Sequence, residues 1–91
     1  MNLYTKNGRP LQVRGDDVHS RSGTYVGRIR SGRVFDPSGR YVGTIVGDRL
    51  VYRSTESARL GPMSNRGSRV GTARANRVGS AIWGDEPPIP D

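Results

Sequence analysis

Catalysis needs a nucleophile beside a base, a pair of carboxylates at working distance, or ligands converging on a metal. His19 is the only histidine, and next to Val18 on a short apolar stretch it reads as a surface or packed side chain rather than a general base. Asp16 and Asp17 are adjacent, so a turn followed by a strand start sends their carboxylates apart. The serines fall mostly in turns, where local hydrogen bonding accounts for them. Neither a Gly-x-x-x-x-Gly-Lys phosphate loop nor a Gly-x-Gly-x-x-Gly fingerprint occurs. With no cysteine and one histidine, no zinc set can be assembled. The expectation is therefore a protein that is not an enzyme, needs no cofactor and holds no metal.

Binding chemistry is better supplied. The chain carries 15 basic against 8 acidic residues, a formal net charge of +7, and only Lys6 among the basic ones is a lysine. Arginine presents a planar fork that meets phosphate bidentately and stacks on rings, which lysine does not. An arginine-rich composition can also arise from coding bias and serve only solubility. Here, however, Arg28, Arg30, Arg33, Arg40, Arg49 and Arg53 alternate with Tyr25, Tyr41 and Tyr52 along successive strands. Phosphate clamping by Arg with base stacking on Tyr is a minimal kit for nucleotides. These nine residues are the candidate ligand-binding set. The expected ligand is a small phosphate-bearing anion such as a cyclic or signalling nucleotide, sequestered at an inter-subunit pocket lined by Tyr25, Arg28, Arg30, Arg40 and Tyr41. Two other classes compete: a nucleic-acid-binding module for single-stranded DNA or RNA, and a structural or assembly protein whose arginines pair with acidic tails.

Turn signals dictate the elements that must position these side chains. Asn7-Gly8, Gly15-Asp16, Arg21-Ser22-Gly23, Ser31-Gly32, Pro37-Ser38-Gly39 and Gly47-Asp48 punctuate the first half of the chain. Between them lie strand candidates at 3–6, 9–14, 17–20, 24–30, 33–36, 40–46 and 49–53. Paired into units 3–16, 17–32 and 33–48, with a fourth begun at Arg49, they predict an all-β meander of short antiparallel hairpins with a repeat of about 16 residues. No helical pattern is present. Gly23-Thr24-Tyr25-Val26-Gly27-Arg28-Ile29 returns as Gly39-Arg40-Tyr41-Val42-Gly43-Thr44-Ile45. Val and Ile three apart would face opposite sides of a regular strand. A bulge at Gly27 and at Gly43 would return Val26, Ile29, Val42 and Ile45 to one core face, with Tyr25, Arg28, Arg30 and Tyr41 pointing away.

Composition divides the chain into a hairpin domain over 1–63, a Gly/Ser/Arg-rich arm or irregular segment over 64–77, and a last strand with an acidic, proline-rich tail over 78–91. Gly67-Ser68-Arg69-Val70-Gly71-Thr72-Ala73 faintly echoes the hairpin repeat. Trp83 is expected to anchor the tail, whose acidity suits a basic surface. Apolar residues make up 32% of the 91, too few for a comfortable single-chain core, so completion as a homo-oligomer is expected. No apolar run is long enough to span a bilayer, and the first residues lack a signal-peptide pattern. A bacterial cytoplasmic location, in a phage or host context and without membrane contact, is the corresponding expectation.

Asn2-Leu3-Tyr4-Thr5-Lys6-Asn7-Gly8-Arg9-Pro10, the spaced Gly-x-Tyr-Val-Gly units and Trp83-Gly84-Asp85-Glu86-Pro87 together resemble small bacterial proteins of the four-fold β-flower group. The resemblance spans residues 2–53 and, more loosely, the last ten. It implies β-hairpins arranged around a central axis, and carries no established activity from which a site could be transferred.

Overall fold

Seven short strands form where the turn signals leave room for them: β1 (Leu3–Thr5), β2 (Pro10–Arg14), β3 (Asp17–His19), β4 (Tyr25–Arg30), β5 (Arg33–Phe35), β6 (Tyr41–Val46) and β7 (Arg49–Val51). A 3-10 turn follows at Ser54–Glu56. The computed structural model describes every residue except Met1, Pro62, Asn65 and Asp91. Each strand pairs antiparallel with the next. The meander then closes on itself, because β1 lies parallel to β7 with Tyr4 opposite Arg49 and Thr5 opposite Leu50. Closure removes the open edges that would otherwise invite a second copy to pair. Completion of the sheet therefore takes place within one chain, and oligomerisation is not what closes it.

Each strand sends one side chain into a central ring of Leu3, Leu11, Val18, Val26, Val34, Val42 and Leu50, all buried. These positions are eight residues apart along most of the chain, with seven between Leu11 and Val18. The missing residue has a structural cause. In β4 and β6 the pairing slips by one: Val18 lies opposite Gly27 and His19 opposite Tyr25, as Val34 lies opposite Gly43 and Phe35 opposite Tyr41. Val26 and Val42 are thus the extra residues of bulges, while β2 pairs with β3 without a slip. The bulge returns Ile29 and Ile45 to the ring, where Val13 does the same on the unbulged strand. Gly27 is required by close approach, since a Cβ there would run into the Phe35 carbonyl; at Gly43 a Cβ would press on the Leu50 side chain.

The wider loops at one end share a device. A side-chain oxygen of Thr5, Ser20 and Asp36 accepts the backbone N–H four residues on, at Arg9 (3.1 Å), Thr24 (3.1 Å) and Arg40 (2.9 Å). Such local bonds hold a tight loop without a ladder partner. Burial works against ionisation of Asp36, but bonds from the Ser38 hydroxyl and the Arg40 and Ser38 amides outweigh it and hold the carboxyl below its ordinary range.

Among the described residues there is no further strand beyond Glu56, yet the segment is docked against the barrel. Residues 61–85 run as a belt over these loops, visiting them in reverse order. Gly61 and Ser64 donate to Gly39 and Pro37, Arg69 and Thr72 to Gly23 and Arg21, Arg77 and Ser80 to Gly8 and Lys6, and Asp85 exchanges two backbone bonds with Tyr52. The docking residues recur every eight positions, matching the spacing of the strands beneath. The final turn is locked by Glu86, which accepts from the Thr5 hydroxyl, the Asn7 amide and the Arg9 guanidinium at 2.8, 2.8 and 2.6 Å. Pro87 is fully buried and Ile89 packs on the ring. The acidic tail lies on its own basic surface, and Glu86, Pro87 and Ile89 anchor it. Trp83 does not: it is 59% exposed, with the Arg53 guanidinium 4.9 Å over its ring.

Candidate functional site

The nine candidate residues are not gathered at one place. Tyr25 is half-buried, its hydroxyl donating to Asp17 (3.1 Å) and accepting from Ser64 (2.8 Å); burial, chiefly, raises its pKa. Arg28 stands beside the same carboxylate at 3.9 Å. Tyr41 is buried, its ring 5.5 Å from that of Tyr52 and 6.4 Å from that of Phe35. The Tyr41 hydroxyl accepts the Arg53 amide and bonds to Thr44 Oγ1, which in turn donates to Glu56. Arg53 covers Trp83, and Arg49 reaches from β7 to the Lys6 carbonyl (3.3 Å) with Asp48 at 3.6 Å. These tyrosines hold the barrel wall to its loops and belt. Arg40 is exposed on the far side of its loop, bridged to Leu60 through the backbone.

Two pairs of candidates share a cavity: Tyr52 and Arg53 line a small one beside Trp83, and Arg30 and Arg33 a larger one. A groove of about 560 Å3 runs between the β4–β5 wall and the start of the belt, lined by Arg30, Arg33, Phe35, Arg59, Leu60 and Gly61. Arg33 and Arg59 both reach Glu56 Oε1, at 2.6 and 3.3 Å. The Thr44 hydroxyl bond first, and then the Arg33 bond and the charges of Arg33 and Arg59, hold the Glu56 carboxyl below its ordinary range against the cost of burial. Arg30 is exposed and has no partner among the described residues. Two guanidiniums thus meet a single carboxylate and a third, that of Arg30, stands unpaired on the same lining, leaving an excess of positive charge along a concave surface.

A second groove, of about 420 Å3, repeats the first. Arg14, Asp17 and His19 stand 16 residues before Arg30, Arg33 and Phe35, while Gly67, Ser68 and Arg69 stand eight after Arg59, Leu60 and Gly61. Arg66 completes it, 3.1 Å from Asp17 Oδ2. The register of the barrel and of the belt together generate the pair.

Sequence reasoning found Arg30 and Arg33 but missed Arg59, Phe35 and the entire second groove. One signal was available. Arg69-Val70-Gly71-Thr72-Ala73 and Arg77-Val78-Gly79-Ser80-Ala81 are an eight-residue repeat, and its match to half the hairpin period pointed to docking on successive hairpins. Among the described residues no group of acidic, histidine or cysteine side chains is arranged to hold a metal, and no helix is long and apolar enough to cross a membrane. No family model, curated protein or solved structure matches the chain.

Proposed function

We propose that the chain is a non-enzymatic binding protein that captures a small phosphate-bearing ligand, of the cyclic or signalling nucleotide kind, and holds it unaltered. The observation that carries this reading is the groove lined by Arg30, Arg33 and Arg59, of which Arg33 and Arg59 share the one carboxylate of Glu56. Guanidinium forks match phosphate oxygens bidentately, and a concave site strengthens each such bond by excluding water. The tyrosines bear on the choice of ligand. Sequence-tolerant binding of single strands relies on exposed rings for base stacking, whereas Tyr41 is buried and Tyr25 and Tyr52 are committed to internal contacts. That favours a compact ligand over a polymer. The assembly reading relied on acidic tails reaching arginines of a neighbour, and Glu86 is engaged by Arg9 of its own chain. The kinship with four-fold β-flower proteins belongs to the same reading, supported by the 16-residue hairpins around one ring. So does a homo-oligomer, supported by apolar residues exposed along the belt.

The test is a thermal-shift screen of nucleotides, cyclic dinucleotides, inorganic phosphate and single-stranded DNA and RNA at low and high salt. A captured ligand raises the melting temperature by mass action, and the gain disappears in Arg30→Ala, a variant that removes no internal contact. Polymer binding would instead weaken steeply with salt. A panel in which nothing moves the melting temperature sinks the reading.

A further inference from the structure

Three hairpins of the barrel differ at one register position. In each, a two-residue turn joins strands whose flanking residues stand opposite each other: Arg14 faces Asp17, Arg30 faces Arg33 and Val46 faces Arg49. Like charges opposite one another across an antiparallel pair are destabilising. Of these three hairpins, only the one lining the larger groove carries them. Glu56 answers Arg33 through its Nε and Nη2, both at 2.6 Å, and Arg59 through its Nε at 3.3 Å. Among the described residues no carboxylate is brought to Arg30. The other side chains packed around the lining are Thr44 and Tyr41 on β6, which are uncharged partners of Arg33 and Phe35, and Arg28 on β4, which stands 3.9 Å from Asp17. A guanidinium has five N–H donors. Glu56 and the Ser31 carbonyl take three from Arg33, so two remain. Arg59 keeps those of its two terminal nitrogens, and Arg30 keeps all of its own.

Resting on the reading of this groove as a phosphate site, we infer that it selects the dianionic terminal phosphate of a monoester over the singly charged phosphate of a diester. Among the ligands that reading admits, this names those with a free terminal phosphate. Charge makes the choice. Three guanidiniums less one carboxylate leave two positive charges unanswered on the lining. One dianionic group meets both, whereas a diester or cyclic phosphate meets one and leaves Arg30 facing Arg33 as before. Geometry agrees. A terminal phosphate offers three acceptor oxygens, one for each fork, and a diester has only two that are not bridging. Charge-assisted bonds from guanidinium to phosphate are about twice as strong as neutral ones, so each unmatched fork is a real loss.

The experiment is calorimetric titration of the full chain, at equal ionic strength and at pH 5 and 7, with adenosine 5′-monophosphate, adenosine 3′,5′-cyclic monophosphate and sulfate. At pH 7 the 5′-monophosphate is expected to bind about tenfold more tightly than the cyclic ester, the equivalent of one charge-assisted hydrogen bond. The second ionisation of a monoester lies near pH 6, so its dianion rises from about a tenth of the total at pH 5 to about nine-tenths at pH 7. Affinity for the 5′-monophosphate should rise about tenfold over that interval. Glu56, held below its ordinary 4.5, stays ionised at both values. Sulfate, a dianion throughout, should bind equally at both. Arg30→Gln should erase the preference for the monoester. Arg14→Gln removes the same charge from the sister turn, where Arg14 faces Asp17, and should preserve it. Equal affinity for the two nucleotides at pH 7, a pH response that sulfate shares, or equal loss in the two variants overturns the inference and leaves phosphate binding standing. A chain that binds none of the three overturns both.

Discussion

A leucine or valine of the ring touches its counterparts from neighbouring strands and almost no water, so its stabilisation is that of full apolar burial with no alternative site. With seven such residues in a chain of 91, each carries a large share. Leu50→Ala should cost about 3 kcal/mol through lost transfer energy and the cavity left behind, lowering the melting temperature by roughly 12–24 °C in a domain of this size. Leu60→Ala, at a position 81% exposed, should change it by no more than about 0.5 kcal/mol. Circular dichroism melts distinguish the two. Glu56 acts through charge. Its carboxyl is held below its ordinary value near 4.5 by the Thr44 hydroxyl and the Arg33 and Arg59 cations. The folded state therefore prefers the ionised form: that stabilisation is complete above about pH 4.5 and is lost as pH falls through the lower folded value. Asp36, held below an ordinary 3.8, adds a loss in the same direction a little further down. Melting temperature should fall as pH drops below about 4.5. Glu56→Gln should lower it at pH 7 and flatten the acid decline; an unchanged acid slope would deny the carboxylate this role.

At the scale of elements, strands and bulges were legible because side-chain burial wrote them into the sequence. The turn glycines mark every loop, and Val26-Gly27-Arg28-Ile29 announces its bulge through the three-residue spacing of two apolar residues. The belt was not legible in the same way. Val70 and Val78 repeat at eight but point outward, at 86% exposure each. What docks is the backbone N–H at Arg69, Thr72, Arg77 and Ser80, which no hydropathy pattern records. The same blindness hid the second groove, since Arg66 and Arg69 come from a segment that composition alone reads as an arm. Closure of β1 on β7 was hidden too, because a parallel pairing between the two ends of a meander leaves no turn signal. The belt's dependence on the loops can be tested at Gly23, whose φ of +100° and contact with the Arg69 carbonyl leave no room for a side chain. Gly23→Ala should cost about 1–2 kcal/mol in backbone strain and lift the belt, so that trypsin cuts faster at Arg66, Arg69 and Arg74. Gly15→Ala, with a φ of +60° but open space around it, carries the strain alone and should leave those cleavage rates unchanged. Glu86→Ala should free the tail at a cost of about 2 kcal/mol, read as faster removal of the last residues by carboxypeptidase.

The whole molecule is a flat disc, 32 × 32 × 19 Å, whose sheet is already closed, so association between copies by strand pairing at an open edge is not on offer, and the belt is the surface richest in exposed apolar residues. That surface is unusual. Leu60, Met63, Val70, Val78 and Trp83 are between 59% and 86% exposed, all on the segment that encircles the barrel loops, whereas the apolar residues of the strands are turned inward. Scattered exposed apolar residues are ordinary, but a series confined to one segment is where the proposed association between copies would find apolar contact. A chain bearing a net charge of +7 repels its own copies, so apolar contact along the belt would have to outweigh that repulsion. Association should therefore strengthen as salt rises, the opposite of an assembly held by ion pairs. Light scattering over a range of concentrations, at low and high salt, reads this directly. Val70→Asp with Val78→Asp should give a single chain at every concentration and leave the melting temperature of dilute protein within a few degrees of native, because neither side chain packs on the barrel. A native chain that stays single at high concentration and high salt would remove the oligomer. The two grooves would stand unaffected, since every residue lining them comes from one chain.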